Sequence, residues 1–247
     1  MKMIAAMIYQ NAEDYIELAL RSIMTWADKI ILVDGGCRDR TNDIVNFLKD
    51  ERFVIIKNNW DDNDKGMDGK QRNQYIKYLT EHHIGDWCLV VDSDEVCSDN
   101  CVYLNLMCKQ MEEQGINVAS PHMEHFVYDL LHVDATRDKH YCPHRLFKVQ
   151  EGIKYPEVEH NVLEVPNIKL AEIDAITLFH LGYIRGLFSV VNRYVKNLKK
   201  SNIHNKDYLD KWKNSHIFGV YPTRVYDGVY PKAMCDYFGI ENGIRPI

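Results

Sequence analysis

Short apolar segments alternate with amphipathic segments along the first part of the chain. The apolar segments are rich in Ile and Val and do not alternate apolar with polar residues, a pattern typical of strands that are buried on both faces. They occupy residues 3–8, 30–33, 53–56 and 87–91. The sequence therefore predicts four buried strands in this part of the chain.

Helical periodicity lies between these strands. Apolar residues recur at helical spacing after Asn11, which is a candidate N-cap. A second helix is predicted to begin near Asp39 or Thr41, and a third to cover residues 68–81. Strands and helices in alternation predict a mostly parallel α/β sheet with helices on both faces. Ligands of such sheets bind beyond the carboxyl ends of the strands.

The pattern changes after residue 98. Residues 100–114 predict a helix, residues 117–131 contain a predicted strand, and residues 186–200 predict a helix with one basic face. No internal repeat and no low-complexity linker separates these segments from the first part. We expect the second half to pack onto the first sheet and to complete its site.

Composition and charge exclude several classes of protein. The chain has 247 residues, 46% of them hydrophobic, which allows one large domain with a substantial core. A formal net charge of −6 and a pI near 6.0 give no overall attraction to nucleic acid or to an anionic membrane. No segment approaches the roughly 20 apolar residues of a membrane span, and the N-terminus lacks the pattern of a signal peptide. We therefore expect a cytoplasmic protein without stable membrane insertion.

The cysteines and histidines do not form a recognisable metal motif. Seven cysteines without a CxxC pair argue against a disulfide framework and against a zinc ribbon. His122, His125 and His132 lack the spacing of zinc ligands, and we interpret them as acceptor-site or surface residues.

Acidic residues follow the last of the four buried strands, in the segment WCLVVDSDE at residues 87–95. Asp92 and Asp94 are two residues apart, so an extended backbone projects both side chains to the same side. Two neighbouring carboxylates repel each other unless a cation lies beside them, and Mg²⁺ and Mn²⁺ prefer such oxygen ligands. The alternative is that these residues only cap a turn or a helix.

Four segments, taken together and in order, resemble a known family. They are MIYQN at 7–11, ILVDGGCRDRT at 31–41, GKQRN at 69–73 and GDWCLVVDSDE at 85–95. This part of the chain resembles the nucleotide-sugar-binding half of the family-2 inverting glycosyltransferases of GT-A fold, in the branch with an Asp-x-Asp-Glu motif. The chain departs from the family pattern at Gln10, Ala12 and Cys37. Later segments, HRLF at 144–147, VEH at 158–160 and FHLGY at 179–183, resemble the branch more weakly.

The resemblance implies a GT-A-type Rossmann-like sheet and a division of the chain into three regions. Residues 1–98 would bind the nucleotide sugar, residues 99–185 would bind the acceptor and complete a metal site, and residues 186–247 would form a helical and aromatic extension. The implied donor-binding residues are Tyr9, Asn11, Asp34, Arg72, Asp92 and Ser93. The implied ligands of Mn²⁺ or Mg²⁺ are Asp94, His180 and Asp92.

Each of these roles has a structural alternative. Asp34 and Asn11 can cap the helices that follow them, and His180 can be an ordinary core residue. Arg72 is predicted in the first turn of a helix, where the macrodipole disfavours a cation, so we expect an anionic partner, either a diphosphate or Asp92. A surface ion pair is the alternative for Arg72.

Inverting transfer requires a general base to take the proton of the acceptor hydroxyl. The resemblance makes Glu159 our candidate for this base, with Glu157 and His160 as competitors. The alternative is that all three are surface residues.

The implied activity is metal-dependent transfer of a sugar from a nucleoside-diphosphate sugar, preferably a UDP-sugar, to an acceptor hydroxyl. The expected acceptor is a saccharide or glycoconjugate; a modified DNA base, a protein side chain and a non-catalytic binding module remain alternatives. A sugar nucleotidyltransferase would need a glycine-rich triphosphate loop near the N-terminus, which the sequence lacks. Four aromatic residues could stack on a sugar or a base, or could simply pack: Trp212, Tyr221, Tyr226 and Tyr230.

Overall fold

The structure is a computed structural model that describes residues 1–64, 66–138, 144–158, 162–184, 191, 195 and 206–241, without the side chains of 206–208. The predicted helix at 186–200 lies almost entirely outside the described residues. Among the described residues, no helix is long and apolar enough to cross a membrane.

The N-terminal part of the chain forms four parallel strands in the spatial order β4-β1-β2-β3. The strands are β1 (Met3–Tyr9), β2 (Lys29–Asp34), β3 (Phe53–Lys57) and β4 (Trp87–Val90). The helices between them are α1 (Ile16–Ile23), α2 (Thr41–Leu48) and α3 (Met67–His82). The α/β alternation predicted from the sequence is confirmed.

The second half continues the same sheet with mostly antiparallel pairs. Its strands are β5 (Glu95–Cys97), β6 (Val118–Val127), β7 (His132–Asp134), β8 (Leu146–Lys148), β9 (Leu170–Tyr183) and β10 (Thr223–Val225). Its helices are a 3₁₀ turn at Asp99–Tyr103, α4 (Leu104–Glu113), α5 (Lys206–Ile217) and α6 (Lys232–Phe238).

Strand β8 lies between β4 and β6 and is antiparallel to both. Strand β9 runs parallel to β6 and antiparallel to β5. Strands from all three predicted regions therefore belong to one sheet, and the functional division of the chain into three regions stays a prediction.

Both faces of the sheet are covered. In β1, Ala5 and Met7 join a cluster that includes α1 and α4, whereas Ile4 and Ala6 join a cluster that includes α3. Successive side chains of a strand point to opposite faces, so a strand covered on both sides must be apolar throughout. This is the physical reason for the continuous apolar segments in the sequence.

Strand β3 is an exception, because it is the edge of the sheet. Ile55 is 44% exposed, and every residue of the strand is at least partly exposed. The prediction of burial on both faces is wrong for β3, since the strand has a neighbour on one side only.

Two predicted details of the helices are also wrong. Helix α1 begins at Ile16 after Tyr15, so Asn11 is not its N-cap. Helix α3 begins at Met67, which places Arg72 in the second turn rather than the first, where the macrodipole acts more weakly.

Candidate active site

Tyr9 and Asp34 lie side by side at the carboxyl ends of β1 and β2. Asp34 is buried; its Oδ1 accepts a hydrogen bond from the backbone N–H of Gly36 at 2.8 Å, and its Oδ2 accepts one from Asn42 Nδ2 at 3.2 Å. Burial, and then the nearby Asp34 carboxylate, raise the pKa of Tyr9 far above its usual range, which keeps its hydroxyl protonated. The Asp34 carboxylate thus holds the turn after β2 at the edge where a ligand of this fold binds.

Asn11 connects the loops that follow β1 and β2. It has a left-handed backbone with φ of 48°, and its Oδ1 accepts a hydrogen bond from the backbone N–H of Arg38 at 2.8 Å. Asparagine tolerates this conformation better than most residues. Asn11 therefore fixes the shape of this edge instead of capping a helix.

Arg72 has the anionic partner that its position called for. Its Nη2 lies 3.1 Å from Oδ1 and 3.2 Å from Oδ2 of Asp92, and its Nε lies 3.3 Å from Asp68 Oδ1. Of the two expected partners, the structure shows Asp92. Only 12% of the Arg72 side chain is exposed, so the surface ion pair considered as an alternative does not describe this contact.

A second arginine, Arg145, contacts the same carboxylate. Its Nη2 donates to Asp92 Oδ2 and to Glu95 Oε1, both at 2.9 Å. Although burial opposes ionisation of Asp92, Arg145 and Arg72 hold the pKa of this carboxyl far below its usual range. Burial raises the pKa of Glu95, against the attraction of Arg145. Both oxygens of Asp92 are thus engaged by arginine.

Asp94 faces His180. The Oδ2 atom of Asp94 lies 3.6 Å from His180 Nε2. The two meet because β5 begins directly after Asp94, and His180 in β9 pairs with Glu95 at the start of β5. Ser93 is half-buried in the turn between Asp92 and Asp94.

His125 supports His180 from the other side. The Nδ1 atoms of the two rings are 3.2 Å apart, and the residues are in register on β6 and β9. Burial, followed by the proximity of His180, lowers the pKa of His125 to about 2, so His125 is neutral. If the Nδ1–H of His180 donates a hydrogen bond to Nδ1 of His125, the lone pair of His180 Nε2 lies on the side of Asp94.

Helix α3 holds the segment that leads to the predicted general base. The side chain of Asn73 donates to the Tyr155 carbonyl at 2.9 Å and accepts from the Tyr155 N–H at 2.8 Å. A Cβ on Gly69 would collide with the carbonyl oxygen of Pro156, so glycine allows the close approach. The guanidinium of Arg72 lies 5.6 Å from the centre of the Tyr155 ring. These contacts explain three residues of the GKQRN segment.

Glu159 and His160 lie outside the described residues. Glu157 is described; its side chain is 57% exposed and its Oε2 lies 3.9 Å from Lys70 Nζ. The role of all three as general base stays a prediction.

The four aromatic residues for which stacking or packing was expected divide into two pairs. Tyr226 and Tyr230 are 5% and 2% exposed and pack against Phe126, so for these two the structure shows packing in the core. Trp212 and Tyr221 are partly exposed and surround His216, with ring centres at 4.5 and 4.1 Å.

Arg145 and His125 belong to this site but are not predicted as site residues from the sequence. Arg145 belongs to the HRLF segment at 144–147, whose weak resemblance to the family branch was the one signal available. His125 had only its place in a histidine-rich stretch. Neither signal pointed to Asp92 or His180.

The sequence matches the model of glycosyl transferase family 2 over residues 5–161, which is more than half of the chain. The chain belongs to glycosyl transferase family 2. The membership of family 2 expected from the sequence is thereby confirmed, and the protein is a glycosyltransferase. The Asp-x-Asp-Glu branch, inversion and the use of a nucleotide sugar stay predictions. A comparison with curated protein sequences gives no significant match.

Solved structures show the fold of this family 2 chain. It aligns with S. aureus TarS 1–349 with a TM-score of 0.51 and 16% identity, covering 98% of this chain and 75% of that one. It aligns with the longer S. aureus TarS structure at the same TM-score and identity, covering 98% of this chain and 46% of that one, so it spans about half of the longer TarS chain. The GT-A fold predicted from the sequence is confirmed.

Proposed function

We propose that the protein is a metal-dependent inverting glycosyltransferase that moves a sugar from a nucleoside-diphosphate sugar, preferably a UDP-sugar, to an acceptor hydroxyl. The observation that carries the proposal is the approach of Asp94 and His180 to 3.6 Å at the ligand-binding edge of a family 2 sheet. A saccharide or glycoconjugate is the proposed acceptor, on the strength of the family resemblance.

The residues present fit a divalent cation. A Cβ on Gly182 would lie 2.6 Å from Asp94 Oδ2 and 2.8 Å from His180 Nε2, so the glycine keeps the space beside both atoms open. A carboxylate oxygen and an imidazole nitrogen suit Mn²⁺, and a carboxylate suits Mg²⁺. Among the described residues, no group of three His, Cys, Asp or Glu side chains could hold a metal ion. Asp94 and His180 would therefore be the protein ligands, with donor phosphates and water as the others.

When bound, such a cation would stabilise the negative charge that develops on the leaving diphosphate. We place Asp92 outside the ligand set, because both its oxygens already contact arginines. This revises our expectation for Asp92, which included metal binding. The negative charge of Asp92 neutralises part of the positive charge of Arg72 and Arg145 and would hold both arginines at the donor-binding edge.

The donor nucleotide would lie along the carboxyl ends of β1, β2 and β4. Asp34, Tyr9 and Asn11 are the proposed contacts of the nucleoside, and Arg72 and Ser93 are the proposed contacts of the diphosphate side. Their support is that parallel strands bring their carboxyl ends to one edge, where this fold binds ligands.

Glu159 is the proposed general base. It would take the proton of the acceptor hydroxyl as that oxygen attacks the anomeric carbon from the face opposite the diphosphate. The bond between the anomeric carbon and the diphosphate oxygen breaks as the new glycosidic bond forms, which inverts the configuration. The clamp between Asn73 and Tyr155 supports a fixed position for the segment that precedes Glu159.

The proposal is tested by isothermal titration of the protein with UDP, GDP and dTDP, with and without Mn²⁺. We expect Mn²⁺ to strengthen UDP binding, and Asp94→Asn to remove that gain and to lower transfer roughly 10- to 100-fold or more. The matched control is Glu151→Gln, a change of an exposed carboxylate in a turn, which should leave both measurements unchanged. Nucleotide binding that is the same with and without metal would contradict the proposal.

A further inference from the structure

Arg145 lies next to the proposed metal site and contacts the turn that carries Asp94. It directly precedes β8, which is antiparallel to β4, and its carbonyl accepts the N–H of Val90 at 2.8 Å. From there its side chain reaches Asp92 and Glu95, each at 2.9 Å. Arg145 therefore contacts the first and last residues of the turn that contains Asp94.

Glu95 closes this turn twice. Its backbone N–H donates to the Asp92 carbonyl at 2.9 Å, and its Oε2 accepts the Asp92 N–H at 2.8 Å. Its other carboxylate oxygen accepts from Arg145. The side chain of Glu95 is 2% exposed, so the pair with Arg145 is protected from solvent. Asp92 and Glu95 are the two ends of the turn, and the buried side chain of Arg145 joins them.

The turn sets the position of Asp94 relative to β9. The Asp94 carbonyl accepts the N–H of Leu181 at 2.8 Å, and Glu95 pairs with His180. A shift of the turn would therefore move the Asp94 carboxylate along β9 and change its distance from the His180 ring. Ligand positions in metal sites are commonly held by such outer contacts, whose loss weakens binding.

We propose that Arg145 is a positioning residue: by fastening Asp92 to Glu95, it fixes the turn that presents Asp94 to His180 and so sets the affinity for the divalent cation. In this role the final glutamate of the Asp-Ser-Asp-Glu segment is a part of the turn and does not contact substrate. The inference rests on the proposed function, since it assigns Arg145 a role in that same metal site.

The test is Arg145→Met, which keeps an unbranched apolar chain in place of the arginine stem and removes the guanidinium and its charge. Mn²⁺ is titrated into the protein in the presence of UDP and followed by electron paramagnetic resonance of the free ion, and UDP binding is measured separately without metal. We expect Mn²⁺ binding to weaken roughly 10- to 100-fold, the loss usual for outer contacts of a metal site. UDP binding without metal should be unchanged.

Two results would overturn the inference. One is an unchanged Mn²⁺ affinity in Arg145→Met. The other is UDP binding without metal that weakens as much as Mn²⁺ binding does, which would make Arg145 a contact of the donor itself. The matched control is Arg52→Met, which also removes an arginine from an ion pair. Arg52 lies at the amino end of β3, whereas the proposed metal site lies at the carboxyl ends of the strands, so this change should leave Mn²⁺ affinity unchanged.

Removal of one partner of a buried ion pair can also unfold a protein. Circular dichroism and thermal unfolding therefore accompany each titration, and two further variants are made. Arg145→Lys keeps the charge and should recover part of the Mn²⁺ affinity. The double variant Arg145→Met with Glu95→Gln leaves no unpaired charge between these residues and should fold, but should still bind Mn²⁺ weakly. Full Mn²⁺ affinity in the folded double variant would overturn the inference.

The wild-type protein separates this inference from the proposed function. If it shows no Mn²⁺-dependent nucleotide binding, the proposed function fails. If it binds Mn²⁺ and UDP together and folded Arg145→Met does so equally well, only the role of Arg145 fails.

Discussion

Gly182 is the residue at which the absence of a side chain matters most for the proposed metal site. It follows His180 by two positions on β9, so both residues face the same side of the strand. A Cβ at this position would come within 2.8 Å of both Asp94 and His180. This space explains why residue 182 is a glycine, since its backbone is not in the left-handed region that favours glycine.

Gly182→Ala should therefore block the space for the cation while leaving the sheet intact. We expect Mn²⁺ binding in the presence of UDP to weaken roughly 10-fold or more, because the added methyl group displaces the ligands from one another. Titration with Mn²⁺ and a circular dichroism spectrum check this. Ala175→Ser adds one heavy atom at an exposed position of the same strand and is the control. A folded Gly182→Ala protein with full Mn²⁺ affinity would exclude a cation from this space.

Other residues show how far single positions could be interpreted from the sequence. For Arg72, the expected anionic partner Asp92 is present, although the helix places Arg72 in its second turn and also gives it a local partner, Asp68. For Asn11, the same kind of local reasoning failed. Its side chain is engaged by Arg38, a partner 27 positions away, instead of the helix that follows it.

At the scale of elements, a single arginine ties the start of β3 to the end of α1. Arg52 donates to the carbonyl oxygens of Met24 at 2.9 Å and Ala27 at 2.8 Å, and it forms an ion pair with Asp50 at 2.6 Å. The hydrogen bonds from Arg52 lower the pKa of Asp50 to about 2. The ion pair thus orients the arginine that holds the two elements together.

This contact makes a pH-dependent contribution to stability. The pKa of Asp50 is lower in the folded protein than its usual value of about 3.9, so its contribution is complete above about pH 4 and disappears as the pH falls through about 2. Asp50→Asn should lower the free energy of unfolding by about 1 kcal/mol at pH 7, after allowance for solvent screening, and by much less at pH 2.

Urea unfolding of both proteins between pH 2 and pH 7 provides the measurement. Glu151→Gln, which removes an exposed carboxylate in a turn, serves as the control for the general loss of one charge. A difference between Asp50→Asn and wild type that stays constant over this pH range would show that the ion pair is not its source.

At the scale of the whole molecule, the segment at residues 226–240 contributes side chains to the core. Met234 in α6 is fully buried, and it packs in one cluster with Phe126 of β6 and Phe179 of β9. Tyr226 and Tyr230 belong to the same cluster. This segment packs against β6 and β9 and so contributes to the stability of the whole molecule.

Met234→Ala should therefore destabilise the entire protein and not only its C-terminal end. Loss of a buried methionine side chain costs about 2–5 kcal/mol, and we expect a single unfolding transition at lower urea concentration. Val229→Ala changes a residue of the same segment that is 78% exposed and should have almost no effect. A separate early transition in Met234→Ala would instead show that the segment unfolds independently.

The sequence by itself determined the strands and helices of the first half and predicted the edge of the sheet at which a ligand would bind. A strand covered on both faces must be apolar along its whole length, and this requirement is visible in the order of residues. The carboxylates at residues 92–95 were visible for the same reason, because they end such a strand. Family membership followed from segments that are local in the sequence, and the comparison confirmed it.

Only the tertiary structure decided which partners those carboxylates have. Arg145 reaches Asp92 across 53 positions of the chain, and His125 reaches His180 across 55. Both contacts depend on the order of strands, with β8 between β4 and β6, and β9 beside β6. Hydrophobic periodicity records which face of a strand is buried but not which strand lies next to it. For that reason the sequence located Asp92 and Asp94 together, and only the fold separated the carboxylate held by two arginines from the one that faces His180.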